Sequence, residues 1–197
     1  MPFPLAQGLV QTVYLPTSCC LRVRVTPFYV ISLCIIRTCA KAGDSRSIVV
    51  VDDRPQKATD VRVDKTQGHA GVQFVNGQFM GTVEVGKDNK GPVKLTSCGF
   101  WPVPETKEQI VKHGPSSLIS SACHFAGWDS RNEGRPCIRA DGGRLVVNGC
   151  EFMQAKKQIV LEKSLTAATI AGCLLRGDGA ISDSRGADVK TGLNSIH

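Results

Sequence analysis

The chain has 197 residues, 42% of them apolar and 21% charged, with 20 Gly, 10 Pro, 9 Cys and only 6% aromatic residues. This balance excludes a collagen, a coiled coil and wholesale disorder, because there is enough apolar material for a packed core, and the length suits one domain, or one domain with an appendage. The net charge of +7 invites a nucleic-acid reading, yet residues 1–57 carry seven Lys/Arg against three Asp/Glu while residues 58–197 carry seventeen against fourteen, so the larger part is close to balanced and no nucleic-acid partner is expected.

Residues 1–57 differ in texture from the rest. They hold four cysteines (Cys19, Cys20, Cys34, Cys39), two glycines, and an apolar run from Pro27 to Ile36 flanked by Arg22, Arg24 and Arg37. That run is about half the ~20 residues a membrane-spanning helix needs, so no membrane span is expected. Two readings fit the segment. Basic residues, a short apolar stretch and Ala40-Lys41-Ala42 have the parts of a secretory signal, which points to a secreted or cell-surface protein. The other reading is a leader or capping segment with strands of its own, with Ser47 to Val51 as a short strand before an Asp52-Asp53-Arg54-Pro55 turn.

From residue 58 onward, short apolar runs alternate with Gly, Asn, Asp and Ser, and eighteen of the 20 glycines lie here. No window shows a helical stripe over several turns, so strands are expected. Five eight-residue windows align without gaps: 72–79 (VQFVNGQF), 93–100 (VKLTSCGF), 118–125 (LISSACHF), 145–152 (LVVNGCEF) and 168–175 (ATIAGCLL). Position six is Gly77, Cys98, Cys123, Cys150 and Cys173, and position eight is Phe79, Phe100, Phe125, Phe152 and Leu175. Residues 189–196 (VKTGLNSI) begin a sixth copy. A second short strand follows each window, at Val83-Glu84-Val85, Ile110-Val111, Cys137-Ile138, Ile159-Val160-Leu161 and Ala180-Ile181, and Val61-Arg62-Val63 fills that slot before the first window. The next window starts seven to nine residues after each of these strands ends.

A repeat of 20–30 residues with several strands and no helix is the mark of a β-solenoid. Stacked rungs place equivalent side chains in ladders about 4.8 Å apart, where Phe on Phe and a column of compact Cys pack well. Positions one and three, then six and eight, are apolar, so the inward parity changes between them. A strand keeps a strict period of two, and a bend must therefore fall near positions four and five. The pattern resembles the right-handed parallel β-helix of the pectate-lyase-like superfamily, which includes pectate and pectin lyases, polygalacturonases, other glycosidases and phage tailspikes. The resemblance covers about residues 58–197. It rests on rungs such as VKLTSCGF and LVVNGCEF, with Asn76 and Asn148 near the bend. It implies an all-β, right-handed single-stranded parallel β-helix of about five to six rungs with three short strands each, and a polysaccharide partner. Any activity would be that of a polysaccharide lyase or glycoside hydrolase. No catalytic residue carries over: Gly68-His69-Ala70 stands where a Gly-His-Gly would be sought, there is no Arg-x-Lys signature, and Asp52-Asp53 lies outside the rungs.

The remaining chemistry is sparse. Cys98, Cys123, Cys150 and Cys173 lack the C-x2-C spacing of a zinc ribbon and fit an inward packing column. His69, His113, His124 and His197 have no metal-ligand spacing, so neither a metal nor a cofactor is expected, and His124 at position seven faces outward. The candidate carbohydrate-binding residues are Trp101, Trp128, Asp129, Arg131, Arg139 and Asp141, on or beside the long loops 101–109 and 126–136, together with Glu133 and Arg135. Indole faces suit sugar rings, and long loops on a rigid coil are where solenoids bind. The competing expectation is a structural or interaction solenoid that associates with itself or with a protein partner through exposed rung ends.

Overall fold

The computed structural model describes residues 60–66, 71–101, 106–184 and 189–196, together with strand backbone at 12–14, 20–24, 31–39 and 45–52. It is an all-β parallel solenoid of about five turns, with three parallel sheets and no helix among the described residues. Each full rung runs through a first strand, a two-residue second strand and a third strand. The first strands are Val72–Val75, Val93–Thr96, Ser117–Ser121, Gly143–Asn148, Leu165–Ala171 and Val189–Gly192. The second strands are Gln78–Phe79, Gly99–Phe100, His124–Phe125, Glu151–Phe152, Leu174–Leu175 and Ser195–Ile196. The third strands are Val83–Val85, Ile110–Lys112, Ile138–Ala140, Ile159–Leu161 and Ile181–Asp183, with Asp60–Lys65 filling this slot before the first rung.

The register is the one the repeat dictates. Val72, Val93, Leu118, Leu145, Ala168 and Val189 pair in sequence up the coil. Phe79, Phe100, Phe125 and Phe152 do the same in the second sheet. The segment at 189–196 is thus a sixth copy. The third strands begin one residue later than the sequence suggests in two rungs: Cys137 precedes Ile138–Ala140, and Ala180 precedes Ile181–Asp183. Both residues still point into the core.

The bend falls at position five. Asn76, Ser97, Ala122, Gly149, Gly172 and Leu193 occupy it in all six copies, each with φ between 51° and 64°. One left-handed residue turns the chain sharply and swaps the inward parity, which is why positions six and eight rather than five and seven are buried. The rings of Phe79, Phe100, Phe125 and Phe152 stack with centroids 4.9, 4.7 and 4.8 Å apart, the spacing of neighbouring strands. Cys98, Cys123, Cys150 and Cys173 form the parallel column, all buried and all free thiols. Each thiol donates to a backbone carbonyl of the rung before, for example Cys123 Sγ to Leu95 O at 3.5 Å and Cys150 Sγ to Ser120 O at 3.5 Å.

Four further strands pair antiparallel with this coil. Cys20–Arg24 pairs with Thr12–Tyr14 and with Asp60–Lys65, and Ile31–Cys39 pairs with Ser45–Asp52 and with Val72–Val75. The expected strand at Ser47 to Val51 lies inside Ser45–Asp52. The Ala40-Lys41-Ala42 pattern, residues 53–55 of the expected turn, His69 and His197 lie outside the described residues. Among the described residues no helix is long and apolar enough to cross a membrane.

Candidate functional site

The second sheet is the narrowest face of the coil, and its outward groups come from positions seven and nine of the windows. Position seven supplies Gln78, Gly99, His124, Glu151 and Leu174; position nine supplies Met80, Trp101, Ala126, Met153 and Arg176. Position nine stays in the ladder, because the amides of Trp101, Ala126 and Met153 donate to the carbonyls of Phe79, Phe100 and Phe125. The two columns therefore stand side by side on a rigid support.

Trp101 is 51% exposed and fixed from three sides. Its indole Nε1 donates to Gln78 Oε1 at 2.7 Å. Its ring lies 5.0 Å from the His124 ring, tilted by 33°. Gly99 makes room between them: a Cβ there would sit 2.3 Å from Gln78 Oε1 and 2.7 Å from Trp101 Nε1. His124 Nδ1 donates to Glu151 Oε2 at 3.0 Å, which fixes the imidazole against the carboxylate of the next rung. Met153 and Leu174, 41% and 45% exposed, continue the apolar surface beyond Glu151. The result is an aromatic platform flanked by an amide, an imidazole and one carboxylate. Hydrolysis of a glycosidic bond uses two carboxyl groups, and these two columns present only Glu151. This face is built to bind.

The other candidate residues lie elsewhere. Trp128 is fully buried, with Nε1 donating to Lys157 O at 3.0 Å and its ring edge-on to Phe152. It closes the core under the long loop, so its faces are not available to a sugar. Asp129 is buried beside it and accepts from the amides of Glu133 and Gly134 at 2.8 and 3.0 Å, holding the loop in shape. Lys156 Nζ donates to Asp129 O at 2.7 Å and completes this clasp. Arg131 is exposed on the same loop. Arg139 projects from the third sheet and pairs with Glu108, which Arg135 Nη1 also approaches at 3.8 Å, while Arg135 Nε is 3.6 Å from Glu133 Oε2. Asp141 accepts from Ser164 Oγ in the turn to the fourth first strand and is 3.7 Å from His113 Nδ1. These residues form three separate arrangements, and only Trp101 belongs to the exposed platform.

No protein-family model, curated protein or solved structure matches this chain. Its chemistry must therefore be read from its own side chains. Among the described residues no group of three or more His, Cys, Asp and Glu side chains is arranged to hold a metal ion. The buried thiols are not poised as nucleophiles: burial pushes Cys137 well above the ordinary thiol range, and hydrogen bonds from the Cys123 and Cys173 thiols, with burial, raise Cys150.

Sequence reasoning missed two features. Lys112 is fully buried at the end of its third strand, in the inward position that Val85, Ala140 and Leu161 occupy in neighbouring rungs. Its Nζ donates to Gly142 O at 2.7 Å, Gly114 O at 2.8 Å and His113 O at 3.3 Å. The parity Ile110-Val111-Lys112 carries the signal, since a strand one residue longer places the lysine inside. The second miss is the Gln109–Cys137–Gln158 row just before the third strands, where Cys137 Sγ donates to Gln109 Oε1 at 3.0 Å. Both glutamines cap loop carbonyls, Gln109 Nε2 on Ala126 O and Gln158 Nε2 on Arg176 O, each at 2.6 Å.

Proposed function

We propose that this solenoid is a polysaccharide-binding module of the pectate-lyase-like kind, acting outside the cell, and that the narrow face around Trp101 is its contact surface. One observation carries the reading: a half-exposed indole held by Gln78, His124 and the space over Gly99. An aromatic side chain whose rotamer is already set loses little freedom on binding, and its apolar face with polar neighbours matches the two-sided character of a sugar ring. The rungs repeat at about 4.8 Å along the coil, so a chain-like ligand lying across Gln78, His124 and Glu151 meets polar groups at regular intervals.

Affinity electrophoresis through gels containing neutral or acidic polysaccharides tests this directly. The wild-type chain is expected to be retarded by at least one of them, Trp101→Ala to lose that retardation, and Trp128→Phe to keep it. Retardation that survives Trp101→Ala, or none at all, would sink the proposal.

A second reading rests on the exposure of Met153 and Leu174 beside Trp101. Together they make an apolar strip suited to a protein partner or a second copy of the chain. That reading expects concentration-dependent association in sedimentation velocity, lost in a Met153→Lys, Leu174→Lys variant, with no polysaccharide retention.

A further inference from the structure

A second surface lies at another corner of the coil, where each third strand turns into the next first strand. An open groove of about 650 Å³ runs across these turns, lined among others by Lys90, Ser116, Gly142, Arg144 and Thr166. The turns are tight. Gly143 has φ +63° and a Cβ there would lie 2.3 Å from Ser116 O, so no side chain can fill the space above it.

The polar groups of the groove are unevenly distributed. Its backbone acceptors already have donors. Gly114 O and Gly142 O take Lys112 Nζ from the core side, at 2.8 and 2.7 Å. Gly143 O takes Thr166 Oγ1 at 2.6 Å, Ser116 O takes Arg144 N at 3.2 Å, and Pro92 O takes Val72 N at 2.9 Å. The donors are different. Lys90 and Arg144 are exposed and have no carboxylate in ion-pair range among the described residues. The Ser116 hydroxyl is buried and has no hydrogen-bond partner at all, an arrangement that costs stability unless something completes it. The one acidic group close by, Asp141, already accepts from Ser164 Oγ and faces His113.

The spacing brings these donors together. Ser117 pairs with Arg144 on one side, and Leu118 with Val93 on the other. Ser116 thus stands one rung, about 4.8 Å, from the turn that carries Lys90 and one rung from the turn that carries Arg144. Both long side chains can reach a group seated over Ser116. Nothing aromatic lines the groove, so it has no platform for stacking nucleobases.

We propose that this groove binds a tetrahedral oxyanion, a phosphate or sulfate group, over Ser116, held from one side by Lys90 and from the other by Arg144. A tetrahedral anion presents acceptors in several directions at once, which suits donors arriving from three successive turns. The site is independent of the Trp101 face.

The test is calorimetric titration of the full chain with sodium phosphate and with sodium sulfate at constant ionic strength, chloride serving as the control anion. In parallel, electrophoresis through dextran sulfate and through dextran asks whether the anion is free or an ester on a polymer. Saturable binding of phosphate or sulfate, weakened on the order of tenfold by Lys90→Gln and by Arg144→Gln, supports a site for the free anion. Retention by dextran sulfate alone, lost in the same variants, assigns the group to a polymer. Ser116→Ala should weaken either form of binding without lowering the stability of the unliganded protein, because it removes an unpaired buried hydroxyl. Trp101→Ala should leave anion binding unchanged. Absence of binding to phosphate, sulfate and dextran sulfate overturns the proposal, and so does binding that Lys90→Gln and Arg144→Gln leave intact.

Discussion

At the scale of single residues, the left-handed corner is where chemistry and geometry disagree most openly. Ala122 adopts φ 51° although a Cβ disfavours that region by about 1–2 kcal/mol, whereas Gly149 and Gly172 meet the same demand in the next two rungs without that cost. Ala122→Gly is therefore expected to raise stability by about 0.5–1 kcal/mol in urea denaturation, the relief of strain exceeding the extra entropy of the unfolded chain. The reverse change, Gly149→Ala, should destabilise by a similar amount through backbone strain alone, since nothing lies within 4 Å of the added methyl. Lys112 makes a second residue-scale prediction. Burial lowers its pKa to about 8, with Asp141 acting in the opposite direction. Between pH 8 and the ordinary value of 10.5 the unfolded chain keeps a proton that the folded chain has released, so this group makes stability rise with pH across that window. Buried thiols titrate in the opposite sense, so the comparison must be with Lys112→Met: the stability difference between the two proteins should shift by on the order of 3 kcal/mol in favour of wild type from pH 7.5 to 10.5.

At the scale of elements, the phenylalanine ladder joins the rungs most directly. Phe125 has a stacked ring on each side, at 4.7 and 4.8 Å, and is fully buried. Phe125→Ala removes both stacking contacts and leaves a cavity, with an expected loss of about 3–5 kcal/mol. Phe125→Leu, the residue type found at the same position in the fifth rung, should cost less than half as much by the same urea measurement. These ladders are legible in the sequence because every inward side chain meets copies of itself above and below, and a gapless repeat displays that meeting directly. Trp128 is illegible by the same logic. It has no counterpart in other rungs, and only the path of loop 126–136 folding back over Phe152 decides that its ring is inside. Lys112 hides differently, since a lysine in a column of Val, Ala and Leu is stable only because the turn carbonyls of Gly114 and Gly142 come within reach of its ammonium, a long-range fact that local pattern does not contain. The Trp101 platform lies between these cases: the indole is visible in the sequence, but its partners Gln78 and His124 are 23 residues away on either side and become neighbours only through the coil's register.

At the scale of the whole molecule, the three corners of the coil have different tolerances. The corner after each second strand accepts loops of different length, since 126–136 and 153–158 connect equivalent strands. The corner at position five is one residue wide in all six copies. Two glycines inserted between Asn132 and Glu133 are thus expected to change stability by less than about 1 kcal/mol. A single glycine inserted between Asn148 and Gly149 shifts Cys150 and Phe152 to the solvent side, and should abolish the cooperative unfolding transition followed by circular dichroism. The free thiols add a property of another kind. Rungs two to five each carry one cysteine at the same depth, sealed by its neighbours rather than by a disulfide. A thiol-reactive reagent can meet each sulfur only while its own rung is open, so the order in which Cys98, Cys123, Cys150 and Cys173 are labelled is the order in which the coil breathes. The packing column doubles as a position-coded record of local opening along the axis.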